Sequence, residues 1–271
     1  MKKIIVRIGG IFLAIGCVLA LIGWFSGGKQ KLLHASFDSQ TTKYKNTTNK
    51  LESFDRIHAT LPTADLQIKS GKSFQIETKG INPKYVKYHV KNNQLDLKQS
   101  DHFEMSFFNI STSSSPDSKI TITVPEKTTL KSSVISAGEG DVTFSHTDFD
   151  KLSAKLSEGD FNSTKNTLKD STIKSDEGDV DFTNTSLANL EAILAEGDFS
   201  AKKGSFKGNN SISVNEGDST IIGIHDAEYH LSGDEGDNSL FDNESSHNLS
   251  SKKESSNKVF VHTDEGDNTV K

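Results

Sequence analysis

The chain has 271 residues, of which 32% are hydrophobic and 25% charged, and much of the apolar content lies in residues 4–25. The remainder is too lean for a thick two-layer enzyme core and favours an elongated fold with a thin core. Residues 132–271 carry 27 acidic and 12 basic side chains, a net charge of −15, against +9 for residues 1–131. This distribution argues against nucleic acid as a partner, since phosphate binding needs clustered cations.

Residues 1–28 predict a single-pass membrane anchor with a short cytoplasmic N-terminus. Residues 8–25 contain no charge, and as a helix they would extend about 27 Å, enough for the core of a bilayer. Lys2, Lys3 and Arg7 precede this run. By the positive-inside rule they keep the N-terminus in the cytoplasm and place the rest of the chain outside.

Two other interpretations of this segment stay open. Ser26-Gly27-Gly28 is a weak match to a signal-peptide cleavage site. Residues 14–17 resemble a lipobox ending at Cys17, although the apolar run continues beyond that cysteine. Cys17 is the one cysteine of the chain, so no intramolecular disulfide is available to the protein.

Residues 29–53 are polar and without a clear period, which predicts a spacer. From Phe54 onward the sequence alternates between apolar and polar residues, as at 120–124, and no sustained 3.6-residue period follows residue 29. We therefore expect an all-β ectodomain over residues 54–271.

Within this ectodomain, residues 54–131 are expected to form less regular strands and a cap. An apolar cluster lies near their end, and it either covers an open end of the fold or exposes a patch for a partner. The cluster consists of Phe103, Met105, Phe107, Phe108 and Ile110.

Residues 132–271 contain an internal repeat marked by the tripeptide Glu-Gly-Asp. The successive spacings are 19, 19, 19, 20, 19 and 30 residues. The last spacing is one period plus an insertion, which the polar stretch 244–257 is expected to hold as an exposed loop. The tripeptide begins at Glu139, Glu158, Glu177, Glu196, Glu216, Glu235 and Glu265.

Apolar residues recur in phase with the tripeptide, at every second position on both sides of it. In the first four repeats another apolar residue follows eight positions after the Asp, at Phe149, Leu168, Leu187 and Phe206. One coil is therefore a strand, a Glu-Gly-Asp corner, a strand and a loop with an apolar plug. A single coil cannot bury its inner face, whereas stacked coils can. The predicted fold class is an all-β, single-stranded β-solenoid of about 19-residue coils, preceded by an N-terminal transmembrane helix.

The corner residues have different explanations. Gly suits a sharp corner because it adopts positive φ, and the Asp is expected to bond the backbone two residues on and close the turn. The Glu has no such structural explanation. A stack of carboxylates is a candidate calcium-binding site. However, one Glu and one Asp per coil supply few of the six to eight oxygen ligands that calcium takes. Lys155 and Lys174 are placed to neutralise part of the stack.

No catalytic, cofactor-binding or metal residues are predicted, and the protein is not expected to be an enzyme. The sequence holds no nucleophile elbow, P-loop or Cys/His cluster, and its carboxylates are explained by repetition. The histidines lack metal-ligand spacing and are expected at the surface. They are His34, His58, His89, His102, His146, His225, His230, His247 and His262.

The sequence Ile-Thr-Ile-Thr-Val-Pro at 120–125, followed by Leu130 and by Gly-Asp-Val-Thr-Phe at 140–144, resembles a bacterial β-strand-repeat domain labelled "putative adhesin". Residues 63–68 resemble the first, degenerate turn of that family. The resemblance covers residues 54–271 and implies a domain of largely unknown function with no catalytic residues to transfer. The later coils depart from the pattern, because Ser219, Asn238 and Asn268 replace the apolar residue after Asp. We expect looser packing there.

The sequence and this resemblance together predict a membrane-anchored, extracytoplasmic binding module of a bacterial cell surface, without catalysis and without a cofactor. The composition favours a Gram-positive source, and the partner is a cell-wall or host-surface ligand or a membrane protein. Two alternatives stay open: an envelope-stress sensor that modulates a membrane signalling partner, and a polysaccharide-active enzyme.

Overall fold

The computed structural model describes residues 45–100, 104–106, 109–111, 114–251 and 254–271. The regular secondary structure of these residues is almost entirely β-strand, and their helical structure is a single 3-10 turn at Pro83–Tyr85. None of the helical structure in these ranges is long and apolar enough to cross a bilayer. The anchor predicted over residues 1–28 and residues 29–44 of the predicted spacer lie outside the described residues.

The strands are short, and most alternate between buried and exposed side chains. In chain order they are β1 (Lys45–Lys50), β2 (Arg56–Leu61), β3 (Asp65–Gly71), β4 (Gln75–Ile81), β5 (Val86–Lys91), β6 (Gln94–Gln99), β7 (Glu104–Ser106), β8 (Asn109–Ser111), β9 (Ser114–Pro125), β10 (Thr129–Leu130), β11 (Ser132–Glu139), β12 (Val142–Ser145), β13 (Asp148–Phe149), β14 (Leu152–Glu158), β15 (Phe161–Thr164), β16 (Thr167–Glu177), β17 (Val180–Thr183), β18 (Ser186–Glu196), β19 (Phe199–Lys202), β20 (Ser205–Lys207), β21 (Asn209–Glu216), β22 (Ser219–Ile222), β23 (Glu228–Glu235), β24 (Asn238–Leu240), β25 (Asn243–Ser245), β26 (Leu249–Ser250), β27 (Lys258–Glu265) and β28 (Asn268–Val270).

Each repeat forms one rung, which contributes to each of two long sheets. One sheet has the order β1-β4-β9-β3-β12-β15-β17-β19-β22-β28-β24-β25. The other has the order β26-β23-β27-β21-β18-β16-β14-β11-β2-β6-β5. The repeats pair in parallel and in register, so that Glu177 lies beside Glu196. The predicted all-β, β-solenoid-like stacking of repeats is confirmed, and each coil contributes to both sheets.

The core lies between the two sheets and is filled by the residues that alternate inward. The apolar plugs Phe149, Leu168, Leu187 and Phe206 are all fully buried, as the repeat predicts. Four phenylalanines form a continuous stack along the solenoid, with ring centroids 5.2–5.8 Å apart. The ring alternates between the first and the third position after Asp in successive rungs, so each rung holds one large ring beside a smaller Val, Ser or Ala. The stack runs through Phe144, Phe161, Phe182 and Phe199.

The order of the rungs in space departs from the order of the chain at both ends. The final repeat, in β27 and β28, lies between the rung of β21 and β22 and the rung of β23 and β24. At the other end, β6 and β9 lie outside the earlier rung of β2 and β3. Antiparallel strands then cover each outermost rung, with β25 and β26 at one end and β1, β4 and β5 at the other.

Two expectations from the sequence need correction. The stretch 244–257 is not simply a loop, because β25 and β26 pair antiparallel with β24 and β23 and so cap the outermost rung. Residues 45–50, placed in the predicted spacer, form the edge strand β1. Of the apolar cluster at 103–110, residues 103, 107 and 108 lie outside the described residues.

The rungs nearest β26 keep a packed interior, although polar residues replace the phenylalanines there. Asn268, Asn238 and Thr263 are each no more than 1% exposed. Asn268 donates to Oδ1 of Asn238 at 2.9 Å and accepts a 2.6 Å bond from the hydroxyl of Thr263. The looser packing expected from Asn238 and Asn268 is therefore wrong, since a satisfied polar network fills the space.

Candidate functional site

The Glu-Gly-Asp corners are built by contacts between rungs. Each glycine has positive φ, as predicted, and a Cβ at Gly178 would lie 2.4 Å from the carbonyl oxygen of Gly159. The Asp side chain does not close its own turn, which corrects the expectation from the sequence. Instead, its Oδ1 accepts the backbone N–H of the Asp one rung away, at 2.8–3.1 Å. This Asp ladder runs through Asp65, Asp141, Asp160, Asp179, Asp198, Asp218, Asp267 and Asp237.

The glutamates of the corners form a second column, which is exposed along its whole length. Lys155, expected to neutralise this column, pairs instead with Asp176 at 3.5 Å. Over the described ranges, no three His, Cys, Asp or Glu side chains come together in a way that could hold a metal ion. The Glu column therefore gives a charged ridge without a built cation site.

An open groove crosses the outer face of the sheet where β21, β27 and β23 lie side by side. It has a volume of about 410 Å³, and we call it the distal groove. It lies at the end of the stack opposite β1, where the chain enters the folded unit. Its outward-facing lining consists of Ser211, Ser213, His230, Ser232, Asn248, Ser250, Phe260 and His262.

Phe260 provides the aromatic surface of the distal groove. It lies in β27 between the buried Val259 and Val261, so its ring points outward and is 44% exposed. The imidazole of His230 stacks on one side of this ring, with centroids 4.8 Å apart and planes 11° apart. Ser211, the register partner of Phe260 in β21, is small and leaves room on the other side.

Both groove histidines are held at both ring nitrogens. His230 contacts Ser250 Oγ through Nδ1 at 3.0 Å and Glu228 Oε1 through Nε2 at 2.9 Å. His262 repeats this arrangement one rung away, with Ser232 at 3.0 Å and Asp264 at 2.8 Å. Each imidazole is thus fixed in orientation before any ligand arrives.

Glu228 anchors this arrangement electrostatically. The backbone N–H of Ser255, which donates to Oε2 at 3.2 Å, lowers the pKa of the Glu228 carboxyl. Lys258 and His230 lower it further, while desolvation opposes the effect. Glu228 is therefore a carboxylate acceptor for the Nε2–H of His230 at neutral pH.

Ser232, His262 and Asp264 follow each other in hydrogen-bonding contact, as in a hydrolase triad. The hydroxyl of Ser232 also donates to the carbonyl oxygen of Val261 in the neighbouring strand β27, at 3.3 Å. Ser232 contacts Nδ1 of the imidazole, and the carboxylate takes Nε2. This order matches a nucleophile, a base and an orienting carboxylate. The carbonyl oxygen of Val261 competes with Nδ1 for the hydroxyl proton of Ser232, which weakens activation of that hydroxyl.

The family model described as Toastrack DUF4097 matches residues 54–271. The chain belongs to this family. No curated protein matches the chain.

Several solved structures are similar to this member of the family, at low identity. A "putative adhesin" from Bacteroides fragilis is 15% identical, with 84% of this chain and 97% of that chain covered and a TM-score of 0.45. A "putative cell adhesion protein" from Clostridium sporogenes is 13% identical, with coverages of 84% and 99% and a TM-score of 0.38. A "putative lipid binding protein" from Parabacteroides distasonis is 12% identical, with coverages of 84% and 97% and a TM-score of 0.39.

No site residues are predicted from the sequence, and His230 and His262 are expected only to lie at the surface. One local signal pointed to the groove, because Phe260 breaks the polar alternation on the outer side of its strand. The other contacts of the groove cannot be predicted from the sequence, because they depend on the exchanged order of the rungs. His230 and Phe260 are 30 residues apart in sequence yet directly opposite each other in the sheet.

Proposed function

We propose that this protein is a membrane-anchored, extracytoplasmic binding module of a bacterial cell surface that acts without catalysis. One observation carries the proposal: the distal groove presents an exposed aromatic ring beside two fixed histidines. It lies nine strands away from β1, about 40 Å at the usual strand spacing. A ligand-binding surface at that end is far from the point where the chain enters the folded unit.

The anchoring and the location are supported by the sequence. The uncharged run at 8–25 and the cations before it favour insertion with the N-terminus inside. Protease added to spheroplasts that express the full chain should digest an epitope tag placed after Lys271 and leave a tag before Met1 intact. Recovery of the protein in the soluble fraction, or a protected C-terminal tag, would contradict this part of the proposal.

Binding is tested with the full chain displayed on a bacterial host, against purified cell-wall sacculi and immobilised mucin. We expect retention on at least one of these surfaces. Phe260→Ala should weaken retention about tenfold, since a central aromatic contact often dominates a binding surface. Val134→Ala is the matched control, because Val134 faces outward from the same sheet and is 47% exposed.

Three results would contradict the binding proposal. The first is retention on neither surface, and the second is equal retention of wild type and Phe260→Ala. The third is release of sugar fragments from the sacculi, which would favour an enzyme. Equal co-purification of a membrane protein with wild type and Phe260→Ala would instead support a signalling modulator.

A further inference from the structure

The distal groove is open and elongated along the stack. Its floor is formed by three adjacent strands and its far end by β26, so it extends over about 15 Å at the usual strand spacing. A volume of about 410 Å³ lies within the range of pockets that hold small ligands. The groove thus fits a short segment of a chain-like molecule.

The side chains that line the groove disfavour two classes of ligand, anions and lipid tails. No Lys, Arg, Asp or Glu side chain is part of the groove lining among the described residues. Glu191, which borders the groove beyond Ser211, is acidic, so an anionic ligand is disfavoured. The acidic second half of the chain adds to this effect. A lipid tail would need continuous apolar walls, whereas four serines, two histidines and one asparagine face this groove.

A peptide strand is also disfavoured. Strand addition needs the unpaired backbone of a sheet edge. β27 lies between β21 and β23, and its backbone is paired on both sides. Over the floor formed by β21, β27 and β23, a ligand is therefore recognised by side chains, and it must offer polar groups together with an apolar face.

The fixed histidines determine which groups of the groove lining donate hydrogen bonds and which accept them. With neutral imidazoles, the carboxylates of Glu228 and Asp264 accept the Nε2–H groups, so the Nδ1 atoms accept. The hydroxyl of Ser250 then donates to Nδ1 of His230, and the one hydroxyl proton of Ser232 is shared between Nδ1 of His262 and the carbonyl oxygen of Val261. The oxygen lone pairs of both serines remain available as acceptors for hydroxyl groups of a ligand.

The ring of Phe260 offers the apolar contact. Across Ser211 from Phe260 lies Glu191, two strand spacings or about 10 Å away. This slot above Ser211 is wide enough for one saturated ring to lie against the free face of Phe260. Such a ring would place its C–H face on the aromatic surface and its hydroxyls toward the serine and histidine walls.

We propose that the distal groove binds a neutral saccharide, with one pyranose ring seated above Ser211 against Phe260. This inference rests on the proposed binding function and names its ligand class. Because the imidazole rings of His230 and His262 are already fixed by hydrogen bonds, these side chains lose little conformational freedom when the ligand binds.

The test uses the full chain in nanodiscs and saturation-transfer NMR with three trisaccharides. Cellotriose and triacetylchitotriose are neutral, and trigalacturonic acid is the anionic comparison. We expect saturation transfer to at least one neutral trisaccharide and a weaker signal from the anionic one. Phe260→Ala should weaken the affinity about tenfold, and Ser211→Trp should abolish binding by filling the slot. Val134→Ala should bind like wild type.

Circular dichroism should show that Phe260→Ala and Ser211→Trp keep the wild-type β-sheet spectrum, since both positions face outward. Failure of both neutral trisaccharides, preference for trigalacturonic acid, or unchanged binding by Ser211→Trp would overturn the saccharide assignment. If the neutral sugars fail while Phe260-dependent retention on sacculi or mucin persists, the binding function stands and only the ligand class is wrong.

Discussion

The backbone amide of Asp179 donates a 3.0 Å hydrogen bond to Oδ1 of Asp160, which lies 19 residues earlier and one rung away. The same contact recurs from rung to rung along the column. A donor at each carboxylate offsets part of the repulsion between stacked charges. The repeated Asp therefore ties neighbouring coils together, and the adjacent Glu does not.

Asp160→Ala should destabilise the protein by about 1 kcal/mol, because it leaves the amide of Asp179 without its charged acceptor. Asp160→Asn keeps an oxygen acceptor and should lose less. Urea unfolding measures both variants. Glu158→Ala is the matched control from the exposed column of the same corner and should change stability by less than about 0.5 kcal/mol. Equal effects at residues 158 and 160 would contradict the role of the ladder.

Gly178→Val should cost about 3 kcal/mol or more. The added Cβ would meet the carbonyl oxygen of Gly159 at 2.4 Å, and φ at this position is +114°. Gly223→Asn is the control, since Gly223 also has positive φ but its nearest atom is Lys203 Cγ at 3.9 Å. That variant should lose less than about 1 kcal/mol. Equal melting temperatures for Gly178→Val and wild type would contradict close stacking of the corners.

Phe161→Ala should destabilise the protein by about 3–5 kcal/mol, because it opens a cavity between the rings of Phe144 and Phe182. Phe260→Ala removes the same ring from an exposed position and should leave the melting temperature nearly unchanged. Thermal unfolding of the two variants distinguishes a continuous buried stack from isolated surface rings. A small loss at Phe161 would show that the interior of the solenoid is loosely packed.

The exchanged rung order predicts which cysteine pairs form a disulfide. In a Cys17→Ser background, Glu216→Cys with Glu265→Cys should oxidise readily, since these positions are register partners and a disulfide needs Cα atoms about 4.4–6.8 Å apart. Glu216→Cys with Glu235→Cys should not, because β27 lies between their strands. Mass spectrometry of non-reduced peptides gives the result. Cross-linking of residues 216 and 235 would mean that the rungs follow the order of the chain.

Glu228→Gln should lower stability at neutral pH and have no effect in acid. The folded state lowers the pKa of this carboxyl below its ordinary value of 4.5. Its contribution is therefore present above that value and is lost as the pH falls through the folded pKa. Melting temperatures from pH 3 to pH 7 should converge below about pH 4.5. Glu254→Gln, at an exposed position directly before Ser255, is the control and should keep the wild-type melting temperature across this range.

The sequence could predict the solenoid because a fixed period leaves the same mark in every coil. The apolar positions that flank Glu-Gly-Asp, such as Ile173 and Phe182, are buried where the alternation places them. The positive φ of Gly178 also follows from the corner that the period implies. These features depend on residues close together in the chain, so one sequence is enough to predict them.

The sequence did not predict the acceptor of the Asp amides, the exchange of the last two rungs or the distal groove. Each depends on which strands lie side by side in the folded chain, and Glu-Gly-Asp marks every rung alike. Parallel pairing of β27 with β21 and β23 brings Phe260 against His230. The sequence by itself thus determined the repeating coil and its inward face, through local periodicity and steric preference. Only the tertiary structure decided the order of the coils and the side chains that line the groove, because pairing between distant strands sets both.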